Sequence, residues 1–324
     1  MPDSDGADWQ LLAERISARH RGRDSLIRGV AVVGDYARNQ VWEGSLLQIL
    51  LFRHRSEALI DEGGVVEENG FSVTVDSITS GSLVELEELL HLEPLAGNLA
   101  DMHTLRMADP TLRDVLASFR DRYHSADGRQ LRARRALQRA RVALDDYDST
   151  KRPIFAIEAV RSGIYPAASA LVGERVDALR MPRRLRAASR LLKLPELLPQ
   201  LNAALQSESV DLSRRWDAVE RLHALARSHL DARMPEVGSA LVPRLERALI
   251  PARRGSDALL TAGDRDAAAW VAMSAAAELD GVVEAAPPGW RERDDYRDRS
   301  MDVYGRPSPE ILRHACVEIQ SRVD

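Results

Sequence analysis

The sequence predicts an α+β chain that is mostly helical, with a small mixed-sheet core near its start and an all-helical bundle after it. Three observations carry that expectation. Valine-rich segments and two-residue apolar alternation are confined to residues 27–78. From Pro94 onward apolar residues recur at helical spacing and no convincing strand follows. The chain has 324 residues, 44% hydrophobic and 29% charged, enough for about two or three ordinary domains with real cores. The domain limits read as 1–95 for the core, 96–235 for a helical domain and 236–324 for a helical C-terminal extension.

Each element has a local reason. Trp9, Leu12, Ala13 and Ile16 share one face of a helix over 9–20. Val30, Val32 and Val33 make a short apolar run that stops at Gly34, a buried strand feeding a tight turn. Residues 46–52 are a second apolar run, broken only by Gln48. Phe71, Val73 and Val75 alternate with Ser72, Thr74 and Asp76, a strand with one polar face, and Gly63-Gly64 and Asn69-Gly70 mark turns before it. Ser82 with Glu85 forms a capping box for a helix over 82–92. Helices are then expected over 98–108, from Asp109-Pro110 through 123, over 130–147 with many arginines, and over 153–172, where Ala159, Ser162, Ala167 and Ala170 give close-packing character. Further helices fall over 195–205, over 211–233 with a stripe of Trp216, Val219, Leu222 and Leu225, and over 241–250, 264–279 and 309–323. The alanine-rich stretch 267–277 reads as a core helix. Residues 286–305, with Pro287-Pro288-Gly289 and a charge run over 291–299, read as a solvated linker.

Composition narrows the function classes. The formal net charge of −5 argues against a dedicated nucleic-acid binder. Lys151 and Lys193 are the only lysines among 45 basic residues, the codon bias of a GC-rich bacterial-type genome. Cys316 is the sole cysteine, so no intrachain disulfide forms, and its apolar neighbours make it a buried structural thiol. The start of the chain is acidic and polar, unlike a signal peptide, and no apolar run is long enough to span a membrane. A cytoplasmic protein is expected. The histidines show no metal-ligand spacing, and Arg221, His223, Arg227 and His229 lack the spacing of helical nucleases. There is no nucleophile elbow, Walker loop or dinucleotide fingerprint.

The segment from Gly29 through Val33 to Gly34, Asp35, Tyr36, Ala37 and Arg38, followed by Trp42 to Leu51, resembles the polymerase-beta-type nucleotidyltransferases. That family places Gly-Ser after a strand, an Asp-x-Asp or Asp-x-Glu pair about ten residues later, and a third carboxylate on a following strand. The carboxylates hold magnesium ions that bridge the triphosphate and stabilise in-line displacement. The helical region is similar to the substrate domain of the kanamycin-type, small-molecule branch: residues 99–116, with Asp109-Pro110, and 158–192 stand in its order and spacing. The resemblance spans roughly residues 10–235, which makes 96–235 a substrate-type domain.

Set against that resemblance, the metal positions are degenerate. Leu46 stands at the first and offers no ligand atom; Gln48 stands at the second and offers a neutral amide; Asp35 replaces the serine of Gly-Ser, an anion where phosphate would lie. Asp76 remains as a third carboxylate, with Thr74 as the alternative match on the same face. No general base is identifiable on 130–147, where Asp145, Asp146 and Asp148 read as surface charge.

The resemblance therefore implies a pseudoenzyme that binds a nucleotide, a small molecule or a protein partner in an interdomain cleft lined by Gly34, Asp35, Arg38, Gln48 and Asp76, with no catalytic residue, metal or cofactor. Two alternatives stand beside it. One is an active nucleotidyltransferase modifying a small-molecule hydroxyl, with Asp35 and Asp76 holding one magnesium ion. The other is a nucleic-acid-binding or scaffold protein using Arg132, Arg134, Arg135, Arg139 and Arg141.

Overall fold

The structure, a computed structural model, describes residues 5–54, 60–61, 63–79, 83, 86–90, 92–177, 179–206, 211–233, 235–284 and 290–323. The chain divides into two compact units, Met1–Ser125 and Ala126–Asp324.

The first unit is built on a mixed sheet. Its strands are β1 (Ile27–Val33), β2 (Leu47–Arg53), β3 (Ile60–Asp61), β4 (Val66–Glu68), β5 (Phe71–Thr79) and β6 (His103–Met107), in the order β3-β5-β2-β1-β6 with β4 also on β5. β2 and β5 run parallel; β1 runs antiparallel to both β2 and β6, and β3 and β4 run antiparallel to β5. Helix α1 (Asp5–Arg23) covers one face. It buries Trp9, Leu12, Ala13 and Ile16 against Val30, Val32, Leu47, Ile49, Leu51 and Val73, and Trp9 meets Tyr36 edge-on. The side-chain alternation of the strands is what selects these residues for this face. Asn69 and Gly70 both take positive φ, 52° and 80°, the twist a tight hairpin between β4 and β5 needs.

The expected helix over 98–108 is corrected. A short helix, α4 (Leu95–Ala100), stops at Asp101, and 103–107 pair with β1 as the edge strand β6. Leu99, Met102 and Leu105 mimic helical spacing, but pairing with β1 satisfies the backbone of 103–107 and lets Met107 pack against Gly29. The expected capping box of Ser82 and Glu85, ahead of α3 (Leu86–Leu89), lies outside the described residues. Helix α5 (Pro110–His124) starts as expected, with Asp109 accepting from the Thr111 and Leu112 amides.

The second unit is all helical: α6 (Ala126–Thr150), α7 (Pro153–Glu158), a π-helical turn (Ala159–Ile164), α8 (Tyr165–Leu171), α9 (Met181–Leu191), α10 (Leu197–Leu205), α11 (Leu212–Arg233), α12 (Pro235–Thr261), α13 (Arg265–Glu284), α14 (Asp294–Tyr304) and α15 (Pro309–Gln320). Apolar on nearly every side, α13 is buried from Ala267 to Ala277 and packs on α7, α9, α11, α12 and α14. The π-helical turn presses on α6 so closely that a Cβ on Gly163 would stand 2.3 Å from Ala140 Cβ.

The arginines of α6 do not form one basic face. Arg132 is buried, Arg139 donates to the Ser162 carbonyl, Arg141 donates to Gln320, and only Arg134 and Arg141 are exposed.

Residues 290–304 are not a solvated linker, a second correction. A 3-10 turn (Trp290–Glu292) leads into α14. Trp290 donates to Asp280 at 3.0 Å, the Arg291 guanidinium grips Asp280 at 2.6 Å and Glu158 at 3.1 Å, and it lies over the Phe155 ring. Asp280 is 3% exposed, and the half-buried Arg291 neutralises it together with the half-buried Glu158 of α7. Burial raises the Glu158 carboxyl above its usual range even with Arg291 opposing that rise. It also raises the Tyr296 and Tyr304 phenols, reinforced by Asp280. Cys316 is buried, as expected, and burial pushes its thiol up to about 11. No helix among the described residues is long and apolar enough to cross a membrane.

Candidate functional site

Of the residues singled out by sequence, Gly34, Asp35, Arg38 and Gln48 stand, in the first unit, around the C-terminal end of β1, and Asp76 stands further along the sheet, level with Ala31. Gly34 leaves the strand with φ +75°, a conformation that favours glycine. A Cβ there would stand 2.4 Å from Gln48 Oε1, so the turn and the Gln48 amide are in direct contact. The helix after the turn, α2 (Gly34–Ala37), is a single turn. Leu46, 9% exposed, immediately precedes β2.

Sheet register aligns the key positions. Val33 pairs with Gln48, and Gln48 pairs with Thr74. Asp76 is two rungs further along β5, opposite Leu50, about 6.6 Å from the Gln48 level at roughly 3.3 Å per residue. Thr74, not Asp76, therefore occupies the rung beside Gln48. The Thr74 hydroxyl is buried without a hydrogen-bond partner among the described residues. Asp76 is 7% exposed and accepts from the Gly63 amide at 3.1 Å.

The charged residues hold the loop. Ser45 Oγ donates to Asp35 Oδ2 at 2.6 Å and accepts from the Trp42 amide at 3.1 Å, closing the 35–45 loop with a charge-assisted bond. The Arg38 guanidinium donates to the Gly34 carbonyl at 2.9 Å, the Gly97 carbonyl at 2.7 Å and Asp101 at 2.9 Å. That clamp ties the corner after β1 to α4. Glu93 extends it, accepting from the Gly97 amide and from Tyr123 Oη, and Asp101 also meets His124.

Sequence reasoning missed Ser45, Glu93 and Asp101. Ser45 carried a signal, a hydroxyl after Gly44 ten residues from Asp35; Glu93 and Asp101 carried none, since their partners come from distant positions. Among the described residues no three His, Cys, Asp or Glu side chains stand close enough to hold a metal ion. Gln48 supplies a half-buried amide that can recognise neutral polar groups, Thr74 beside it is fully buried, and neither brings anionic charge to anchor a divalent cation.

No protein-family model matches the chain, and no curated protein matches it. Among solved structures the chain is similar to a nucleotidyltransferase-like protein from Exiguobacterium sibiricum 255-15, with 12% identity over 58% of this chain and a TM-score of 0.35. The match spans 66% of that protein's length. At that level of similarity the chemistry has to be read from this chain's own residues.

Proposed function

We propose that the end of the sheet around Gly34 and Gln48 is a binding face of nucleotidyltransferase type that no longer transfers a nucleotide. Its ligand is a nucleotide or small molecule recognised through neutral hydrogen bonds, with Gln48 as the recognition group. The observation that carries the reading is the shared rung: next to the Gly34 turn stand an amide and a hydroxyl, with a leucine two positions before the amide. A triphosphate held for transfer needs anions there to anchor its divalent counter-ions.

Two measurements test it. Incubation with labelled ATP, magnesium and an aminoglycoside panel is expected to transfer no label. Thermal-shift screening of nucleotides is expected to show stabilisation that is independent of magnesium and lost in Gln48→Ala; a ligand at a hundred times its Kd adds about 2.7 kcal/mol. Transferred label would refute the reading in favour of an active enzyme using Asp35 and Asp76. Equal shifts in wild type and Gln48→Ala would remove Gln48 from the site.

A further inference from the structure

At the other end of β1 the chemistry is opposite. A cleft of about 210 Å³ opens where the last turn of α1, the start of β1 and the end of β6 meet, and Arg21, Arg28 and Arg106 line it together with Asp24 and the Gly29 backbone. Among the described residues Asp24 is the only acid in the lining, and it is already engaged: it accepts from Arg53 at 2.7 Å and from the Leu26 amide at 2.8 Å. None of the three lining guanidiniums makes a hydrogen bond or ion pair among the described residues, and Arg21 Nε is shielded from water without a partner. Three guanidiniums thus face a cleft whose one carboxylate is neutralised by a fourth. The C-terminal end of α1 offsets about half a charge, which leaves more than two positive charges unmatched.

We propose that this cleft binds a phosphate-bearing anion of two or more negative charges, a phosphomonoester or diphosphate group. The charge selects the class. A phosphate ester carries about −1.5 to −2 at neutral pH, whereas a carboxylate or sulfate ester supplies only one charge. Guanidinium forks match phosphate oxygens bidentately. The size selects the extent of ligand. Pockets that enclose a drug-sized molecule run about 300–1,000 Å³, so this cleft takes the phosphate group and leaves any larger body outside. The site is independent of the reading given for the Gly34 end, which lies about 16 Å away along β1 at roughly 3.3 Å per residue.

Isothermal titration of the full chain with pyrophosphate, and separately with ATP, tests it, with sulfate, a single-centre dianion, as the size control and Arg134→Gln on α6 as the charge control. The expected result is saturable one-site binding of pyrophosphate. It should be at least tenfold tighter than sulfate and weaken at least tenfold in Arg28→Gln/Arg106→Gln, whose exposed positions leave the fold intact by circular dichroism. Arg134→Gln should bind like wild type. ATP binding as tightly as pyrophosphate marks recognition of the phosphate alone, and tighter binding that is lost in the double variant marks the phosphate end of a larger ligand; both support the site. No saturable pyrophosphate binding, or binding unchanged in the double variant, overturns it. Retention of single-stranded nucleic acid that pyrophosphate does not displace overturns it as well.

Discussion

Replacing Gly34 by alanine separates backbone strain from side-chain contact at the candidate site. The native φ of +75° costs an alanine about 1–3 kcal/mol. The added methyl would also lie 2.4 Å from Gln48 Oε1 and 3.3 Å from its Cδ, so the amide must turn away. Forcing a side chain off its rotamer costs about 0.5–1.5 kcal/mol. Gly34→Ala should therefore lose about 2–4 kcal/mol. Gln48→Ala alone should lose less than about 1 kcal/mol, since it breaks no strand pairing. In the double variant the contact vanishes but the strain persists, so the two changes should couple favourably by about 0.5–1.5 kcal/mol. Native-state hydrogen exchange of the β1 and β2 amides reports the first unit without interference from the helical one. Gly34→Ala within about 0.5 kcal/mol of wild type would refute the claim that the turn requires positive φ. Purely additive variants would refute the contact with Gln48.

Three further outcomes are expected. Gly163→Ala should destabilise the second unit by about 2–3 kcal/mol or more, because its Cβ would meet the backbone as well as the side chain of Ala140, 2.7 Å from Cα; Ala140→Gly should recover part of the loss in denaturant unfolding, and a neutral Gly163→Ala would contradict the close approach. The raised carboxyl of Glu158 binds protons more tightly folded than unfolded, so its contribution is fully present below its ordinary value of 4.5 and is lost as pH rises through the raised one; stability measured from acid toward neutral pH should fall less steeply in Glu158→Gln, and an unchanged slope would exclude Glu158 as the group responsible. With its thiol pushed up to about 11 and buried, Cys316 should resist alkylation at pH 8, where only about one molecule in a thousand carries thiolate, and should react on unfolding; rapid labelling of the native chain would contradict its burial.

The sheet was legible in the sequence where one side of each strand meets α1. Val30 and Val32, and Phe71, Val73 and Val75, alternate because they share the face that packs with Trp9, Leu12 and Ile16, and successive strand residues point to opposite faces. The edge strand β6 was not legible. His103, Thr104 and Arg106 are exposed, so too few of its side chains are buried to show a period, and its pairing partner lies more than seventy residues earlier. The run over 291–299 misled for a different reason. Arg291 is drawn inward, half-buried, by Asp280 and Glu158, and local charge density carries no trace of distant partners. A better signal was present: Tyr296, Ser300, Val303 and Tyr304 fall at helical spacing and are all buried. At the candidate site Gly34 and Gln48 were read from their positions, but the hydrogen bonds that immobilise Asp35 and Arg38 depend on Ser45, Gly97 and Asp101, which only the folded chain brings near.

The two ends of β1 divide the electrostatic work of the first unit. Around Gly34 the Arg38 guanidinium is clamped between backbone carbonyls and Asp101, and Asp35 and Asp76 add negative charge. Around Gly29 three guanidiniums line a cleft with one carboxylate that Arg53 already neutralises. Charges about 16 Å apart at 3.3 Å per residue are separated by more than the Debye length of about 8 Å at physiological salt, so neither end cancels the other's field. A free phosphate is then drawn to the arginine cleft and repelled from the Gly34 turn, while a neutral hydrogen-bonding group meets no such bias at Gln48. Raising ionic strength should accordingly weaken pyrophosphate binding steeply and leave a ligand held by Gln48 nearly unaffected, since only the first interaction is made of exposed, unpaired charge.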